Sequence, residues 1–282
     1  MNLKWMTNLM ALTVAVAVMS ACLPLDNDEP PAAPPASVKL DDVYAATMAL
    51  VGASQLSHVF VTGPDQSFDV DPIAAAQAVE DAVKAGASCV KVTRNDAELT
   101  FDFGAGCAPP KSPIAIQGQA VASMSVETGK SISVTLELTD FGTADKRSTG
   151  SGTLKVTKAA DGADVDLTLQ ASAGTAQIQG GVHVDLLVDD QGTSFRSLSL
   201  STIDPTTVTV GESTLSMNVD GVTLDAGQCY PGAGSILATV AGVKATLAFT
   251  VDTPSTGVAK FTPPLSKKVD DLQLPGLGWT CN

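Results

Sequence analysis

The chain has 282 residues, with 16 Lys and Arg against 30 Asp and Glu, so its formal net charge is −14 at pH 7. Its only guanidinium groups belong to Arg94, Arg147 and Arg196. So acidic a chain has no basic surface with which to neutralise phosphates, and nucleic acid is therefore excluded as a partner.

The first 21 residues are typical of an export signal. Lys4 gives a short basic start, and an apolar run follows that ends just before Cys22. A transmembrane helix needs about 20 apolar residues, whereas this run is shorter and is followed at once by Pro24 and Asp26. The pattern predicts that residues 1–21 are a signal peptide removed on export.

The end of this segment, Met19-Ser20-Ala21-Cys22, resembles the lipobox of bacterial lipoproteins, with Met19 where the family usually has Leu. The resemblance implies that Cys22 becomes the N-terminus, carries fatty chains such as palmitate and anchors the protein to a membrane. Because Leu23 follows the Cys, where Asp resembles an inner-membrane retention signal, the expected location is the outer membrane, on its periplasmic face or at the cell surface. The alternative is an ordinary secretory signal in which Cys22 has no special role.

Residues 22–37 are predicted to form a stalk. The segment is rich in proline, with Pro30, Pro31, Pro34 and Pro35, and has almost nothing to bury. Such chains favour extended polyproline geometry at about 3.1 Å per residue. Residues 38–282 are then expected to form a single β-rich domain held away from the bilayer.

The domain is predicted to begin with two helices. Apolar residues recur every three or four positions through residues 39–57, which is an amphipathic helix pattern. A second helix is predicted from Asp71 and Pro72, an N-cap acid followed by proline at the first helical position, to Gly86 as its C-terminal stop.

From residue 88 onward the apolar residues alternate with polar ones, as in antiparallel strands with one solvated face. The alternating positions include Ile132, Val134, Leu136 and Leu138; Val165, Leu167 and Leu169; Ile178, Val182, Val184, Leu186 and Val188; and Val243, Ala245, Leu247, Phe249 and Val251. Turns are expected at Asn95-Asp96, Thr128-Gly129, Asp161-Gly162, Gln191-Gly192 and Asp220-Gly221. This spacing predicts about 12 to 14 strands.

The predicted fold class is therefore mainly β, a large curved antiparallel sheet with two N-terminal helices packed on it. So many one-sided strands cannot stay flat, because the apolar face would meet water. A half-barrel filled by the helices is the favoured arrangement, and a sandwich of two sheets is the alternative.

Four cysteines remain after Cys22 is assigned to lipid, and an even number in an exported chain predicts two disulfides. Three pairings are open. We favour Cys89 with Cys107, which brackets a predicted hairpin, and Cys229 with Cys281, which ties the C-terminus to the body.

Catalytic chemistry finds little support in the sequence. The two histidines are His58 and His183, and His183 lies on the polar side of a predicted strand with Asp185 two residues away. A Ser or Cys nucleophile beside them is conceivable, but no Gly-x-Ser-x-Gly elbow occurs. We therefore predict no catalytic residue and expect that the protein is not an enzyme.

No cofactor and no metal site is predicted either. Two imidazoles and paired cysteines do not make a zinc or copper centre. Acidic groups at Asp69 to Asp71, Asp161 to Asp166 and Asp189-Asp190 could offer oxygen ligands to calcium, but no twelve-residue calcium loop ending in Glu is present. The expected function is a non-enzymatic structural or binding module of the cell envelope, and the alternative is a carrier of an apolar ligand or lipid.

Overall fold

The computed structural model describes residues 70–86, 89–107, 115–143, 146–173, 176–188, 195–210, 213–225, 228, 230–240, 242–263 and 268–274. Cys22, His58 and the predicted helix over 39–57 lie outside these ranges, as do Cys229 and Cys281.

The helix predicted from Asp71 is confirmed as α1, Pro72–Gly86. Asp71 caps its N-terminus, because its Oδ1 accepts hydrogen bonds from the backbone N–H groups of Ile73 at 2.9 Å and Ala74 at 3.0 Å. These bonds satisfy donors that have no partner within the helix. A second, one-turn helix, α2, spans Thr253–Thr256.

The described residues also form thirteen strands. Their bounds are β1 Lys91–Asn95, β2 Glu98–Asp102, β3 Gln117–Glu127, β4 Ser131–Thr143, β5 Lys146–Ala159, β6 Gly162–Ala173, β7 Ala176–Val188, β8 Phe195–Val210, β9 Ser213–Asp225, β10 Ala233–Val240, β11 Val243–Ala248, β12 Val258–Thr262 and β13 Asp270–Gln273. The number agrees with the sequence-based count.

All thirteen strands belong to one antiparallel sheet, and each pairs with its neighbours in the chain, from β1 at one edge to β13 at the other. The protein is therefore mainly β, as predicted. The alternative of a two-sheet sandwich is wrong, because one continuous ladder of hydrogen bonds joins every described strand. This order needs only local hairpin connections, which antiparallel strands allow.

The sheet has one apolar face and one polar face. Leu136 pairs with Ala122 on β3 and with Gly152 on β5, and the same side of the sheet carries Leu167 on β6 and Val184 on β7. Its side chains form one buried cluster that includes Val92, Leu99, Phe101, Ala120, Ala122, Val134, Leu136, Leu138, Leu154, Val165, Val184, Leu198, Leu200, Val222, Leu224, Ile236, Leu247 and Ala259. The alternation predicted from the sequence thus separates core from solvent. Val251 is the exception, because it lies in the turn after β11 and is 87% exposed.

Helix α1 packs at the beginning of the sheet, against β1, β2 and β3. Its buried residues include Ala76, Val79 and Val83, which recur at helical spacing in the sequence, whereas Ile73, which shares that spacing, is 47% exposed. They join the same cluster as the sheet's apolar face, so helix and sheet share a core.

The predicted disulfide between Cys89 and Cys107 is confirmed, with the two Cα atoms 5.5 Å apart. It encloses the β1–β2 hairpin, whose turn places Asp96 at φ 53°. The pair predicted between Cys229 and Cys281 lies outside the described residues.

One predicted turn is wrong. Asp220-Gly221 does not join two strands but lies within β9, where the pairing with β10 gains one residue between Thr223 and Asp220. Gly221 has φ 55°, a left-handed conformation that glycine adopts at no steric cost. The dipeptide therefore forms a β-bulge. Bulges and hairpin turns both use glycine at positive φ, so the same sequence pattern fits either.

Candidate functional site

The polar face of the sheet is rich in hydroxyl and carboxylate groups. Thr153 on β5 and Thr168 on β6 are directly opposite, and their hydroxyl oxygens are 2.7 Å apart. Cross-strand pairs of this kind contribute to sheet stability. This face also carries the histidine that the sequence singled out.

His183 lies between two carboxylates near the middle of the sheet. Its Nδ1 is 2.6 Å from Oδ1 of Asp166, which is its direct partner on the neighbouring strand β6. Its Nε2 is 2.8 Å from Oδ1 of Asp185, two residues further along β7. We call these three residues the central cluster. Their side chains are 32%, 42% and 50% exposed for His183, Asp166 and Asp185, so the cluster meets solvent.

The central cluster belongs to a row of polar residues that crosses four strands. Lys155 on β5 is opposite Asp166, and Ser201 on β8 is opposite His183. Asp164 on β6 is opposite Asp185. Alternation along each strand places all of these side chains on the polar side.

The two carboxylates raise the pKa of His183. The larger cause is the hydrogen bond with Asp166, and the bond with Asp185 and the charges of both carboxylates act in the same direction. Partial burial opposes them, because it disfavours the charged imidazolium. The ring is therefore protonated over a wider pH range than an ordinary histidine.

This geometry does not match a nucleophilic triad. In a triad one imidazole nitrogen faces a carboxylate while the other accepts the proton of the nucleophile. Here each ring nitrogen faces a carboxylate, so neither is directed at the hydroxyl of Ser201. The hypothesis of a serine activated by His183 and Asp185 is not supported by this arrangement.

Within the described ranges, no three His, Cys, Asp or Glu side chains are grouped so that they could hold a metal ion. Asp71, one of the acids considered for calcium, is instead the cap of α1. No helix in the described part of the chain is long and apolar enough to cross a membrane.

A second ionic group lies at the start of the sheet, and we call it the edge cluster. Glu80 on α1 accepts hydrogen bonds from Arg94 Nε at 2.9 Å and from Lys84 Nζ at 2.5 Å. Arg94, on β1, also donates to the side chain of Gln77 and to the carbonyl oxygen of Asp96. The cluster therefore joins the helix to the first hairpin.

The edge cluster is more deeply placed than the central one. The Glu80 side chain is 10% exposed and that of Arg94 25%. Arg94 is opposite Leu99, on the apolar side of the sheet. The bonds from Lys84 and Arg94 hold the pKa of Glu80 below its ordinary value, although its burial acts in the opposite direction.

The sequence identified part of this chemistry. It placed His183 and Asp185 on one polar face, and the structure confirms that. It missed Asp166, although the alternation of Asp164 and Asp166 with Val165 marked a strand with outward carboxylates. It also missed the contact of Arg94 with Glu80. The one available signal was that Arg94 is two residues from Val92 on the same strand, so that both side chains lie on the apolar side of the sheet.

No protein-family model, curated protein sequence or solved structure matches this chain.

Proposed function

We propose that this protein is a non-enzymatic, lipid-anchored module of the bacterial envelope, which presents the polar face of its sheet as a structural or binding surface. The observation that carries the proposal is the two-faced sheet. One face is the core, and the opposite face is a continuous surface of Ser, Thr, Asp and His that is turned to solvent across many strands. The lipobox-like residues that end at Cys22 supply the anchor.

The environment of the central cluster supports a surface without catalysis. Its imidazole is held on both sides by carboxylates, and the neighbouring hydroxyl groups lie on a solvated sheet face. Catalytic groups instead need a pocket that excludes water and directs them at one reacting atom. A hydrolytic or transfer activity that is lost on changing a single polar-face residue would contradict the proposal.

The anchor is tested by comparing the natural protein with Cys22→Ser in cells fed radioactive palmitate. We expect label on the natural protein alone, which should sediment with membranes, while the variant stays unlabelled. Unlabelled natural protein in the soluble fraction would rule out the lipid anchor.

A carrier of lipid or another apolar ligand is the second candidate, favoured by the size of the apolar face. Thirteen strands spaced by about 4.8 Å make a sheet roughly 58 Å wide. A helix about 10 Å across covers two or three strands, and α1 packs on β1 to β3. The apolar side chains beyond β3, among them Leu169, Leu200 and Leu224, are nevertheless buried. A ligand would therefore have to displace part of what covers this face.

The carrier function is tested by solvent extraction of purified protein followed by mass spectrometry. The Cys22→Ser variant is the protein to use, because its extract contains no acyl chains from the anchor. A lipid present in a fixed ratio to protein supports a carrier. A clean extract from the folded variant, purified without detergent, counts against it.

A further inference from the structure

The contacts of His183 depend on how many protons its ring carries. A carboxylate has no proton to donate, so both short contacts are hydrogen bonds only when Nδ1 and Nε2 each carry a hydrogen. The imidazolium then makes two charge-assisted bonds, to Asp166 at 2.6 Å and to Asp185 at 2.8 Å. The first of these bonds joins β7 to β6.

The neutral ring has one N–H and one bare lone pair. The nitrogen that has lost its proton directs its lone pair at a carboxylate oxygen less than 3 Å away. This lone pair and the negatively charged oxygen repel each other. One of the two contacts must therefore open when His183 loses its proton.

The position of this histidine gives the change a structural consequence. The pairing of β7 with β8 shifts twice between Gln179 and Val182, immediately beside His183. The pairing of β8 with β9 shifts again between Leu200 and Thr206. At Gly180 the chains are so close that a Cβ atom would lie 2.5 Å from the Thr206 hydroxyl. The bond of His183 with Asp166 thus joins β7 to β6, where the strand pairing is regular. It lies at the point where the pairing of β7 with β8 is irregular.

The charged groups around the ring favour its protonated form. Asp164 and Asp166 face it from β6, Asp185 from β7, and Lys155 from β5 lies beyond Asp166. The residue opposite it on β8 is the uncharged Ser201. Three carboxylates against one lysine leave an excess of negative charge that the imidazolium partly neutralises.

We propose that His183 is a pH-operated clasp between β6 and β7, closed while its ring carries both protons and half open once the ring is neutral. Opening releases one carboxylate, and any bond that remains no longer has the positive charge of the ring, so the hold between β6 and β7 weakens beside the irregular part of β8. The polar surface of the protein thereby responds to the pH of its surroundings. The two carboxylates raise the pKa of His183, so the change occurs at a higher pH than in a histidine without such partners.

The state of the ring is measured by 15N nuclear magnetic resonance of the two imidazole nitrogens. His58→Gln is the matched background, because His58 and His183 are the only histidines. We expect both nitrogens protonated at pH 6, and a titration midpoint above the value of about 6.5 for a free histidine. The clasp would be overturned if the ring is neutral at pH 6 or if its titration midpoint is about 6.5 or lower.

Local opening is measured by amide hydrogen exchange, corrected for the intrinsic rise of exchange with pH. Across the titration of His183, we expect the opening constant of β6 and β7 to increase about fivefold, as for loss of one partly exposed charged hydrogen bond. β2 and β3 are the internal control and should not change. In His183→Gln, the opening constant should be independent of pH and should equal that of the natural protein with a neutral His183 ring.

Asp166→Asn is the second variant, useful if His183→Gln does not fold. It should lower the titration midpoint of His183 and reduce the pH-dependent change in exchange of β7. If protection of β6 and β7 stays constant while His183 titrates in the natural protein, the ring is not a clasp.

Discussion

The two ionic clusters use the same kind of bond in opposite settings. In the edge cluster, Glu80 lies mostly buried between α1 and β1 and is bonded to Arg94 and Lys84. Arginine and lysine are residue types that do not change charge near neutral pH. In the central cluster, the cation is His183, and histidine is the side chain whose ordinary pKa lies closest to neutrality. The ionic bonds of the edge cluster are therefore permanent near neutral pH, whereas those of the central cluster depend on the protonation of His183.

Burial explains why each cation suits its place. A carboxylate that is 10% exposed would be costly without a charged partner, so a residue that could lose its charge would be a poor choice beside Glu80. On the polar face, water replaces a lost bond at little cost, and a titrating partner is tolerated. Variants of the two clusters distinguish these two roles.

The largest effect is expected from the disulfide that encloses the hairpin of the edge cluster. The double variant Cys89→Ala, Cys107→Ala should lower the free energy of unfolding by about 3 kcal/mol, because it frees a loop with a sequence separation of 18. Urea titration of the oxidised proteins measures this. A loss below about 1 kcal/mol would mean that the packing of α1 already fixes the hairpin.

Arg94→Ala should come next, with a loss of about 2 kcal/mol in urea unfolding, because it leaves Glu80 with Lys84 alone in a poorly hydrated position. Arg147→Ala is the matched control. It breaks a 2.5 Å contact with Asp140, but those side chains are 39% and 62% exposed. Exposed pairs contribute little, so the control should change stability by no more than about 0.5 kcal/mol. Equal losses in the two variants would contradict the structural role of the edge cluster.

The sequence predicted features that depend on local chemistry. Asp71 followed by Pro72 marks the start of α1 because it supplies a cap and a preset backbone angle within one turn. Strict alternation places Leu136 on the core side because successive side chains of a strand point to opposite faces. Cys89 and Cys107 could be paired because a short hairpin lay between them.

Features that depend on cross-strand register were missed. His183 faces Asp166 only because β6 and β7 pair in one of several registers that their alternation allows. Gly221 was assigned to a turn because turns and bulges both use glycine at positive φ. The meeting of Arg94 and Glu80 requires the packing of a helix on a strand, which periodicity alone does not specify.

The pH dependence of stability should show a separate slope for each cluster. Glu80 has a lowered folded pKa, so its contribution is complete above about 4.5 and is lost as the pH falls through the folded value. His183 has a raised folded pKa, so its contribution is complete below about 6.5 and is lost as the pH rises through the folded value.

Variants of His183 and Glu80 show which residue causes each slope of stability against pH. His183→Gln should remove about 1 kcal/mol at pH 6 and flatten the slope on the alkaline side, as judged by urea unfolding from pH 5 to pH 9. Glu80→Gln should leave the alkaline slope intact and weaken the slope below pH 4.5, as judged by the same urea unfolding extended to about pH 2.5. An alkaline slope that persists in His183→Gln would show that another group causes it.

The smallest effect separates the two carboxylates of the central cluster. Asp166→Asn should lower stability at pH 6 by about 0.5 kcal/mol, and Asp185→Asn by less, because both sites are well exposed. Asp166 joins two strands, so its bond resists their separation, whereas Asp185 lies two residues from His183 on a strand whose backbone already fixes their spacing. Urea unfolding at pH 6 measures the difference, with Ser201→Ala as the neutral control on the same face. A larger loss for Asp185→Asn would mean that the histidine orders its own strand and does not hold β6 to β7.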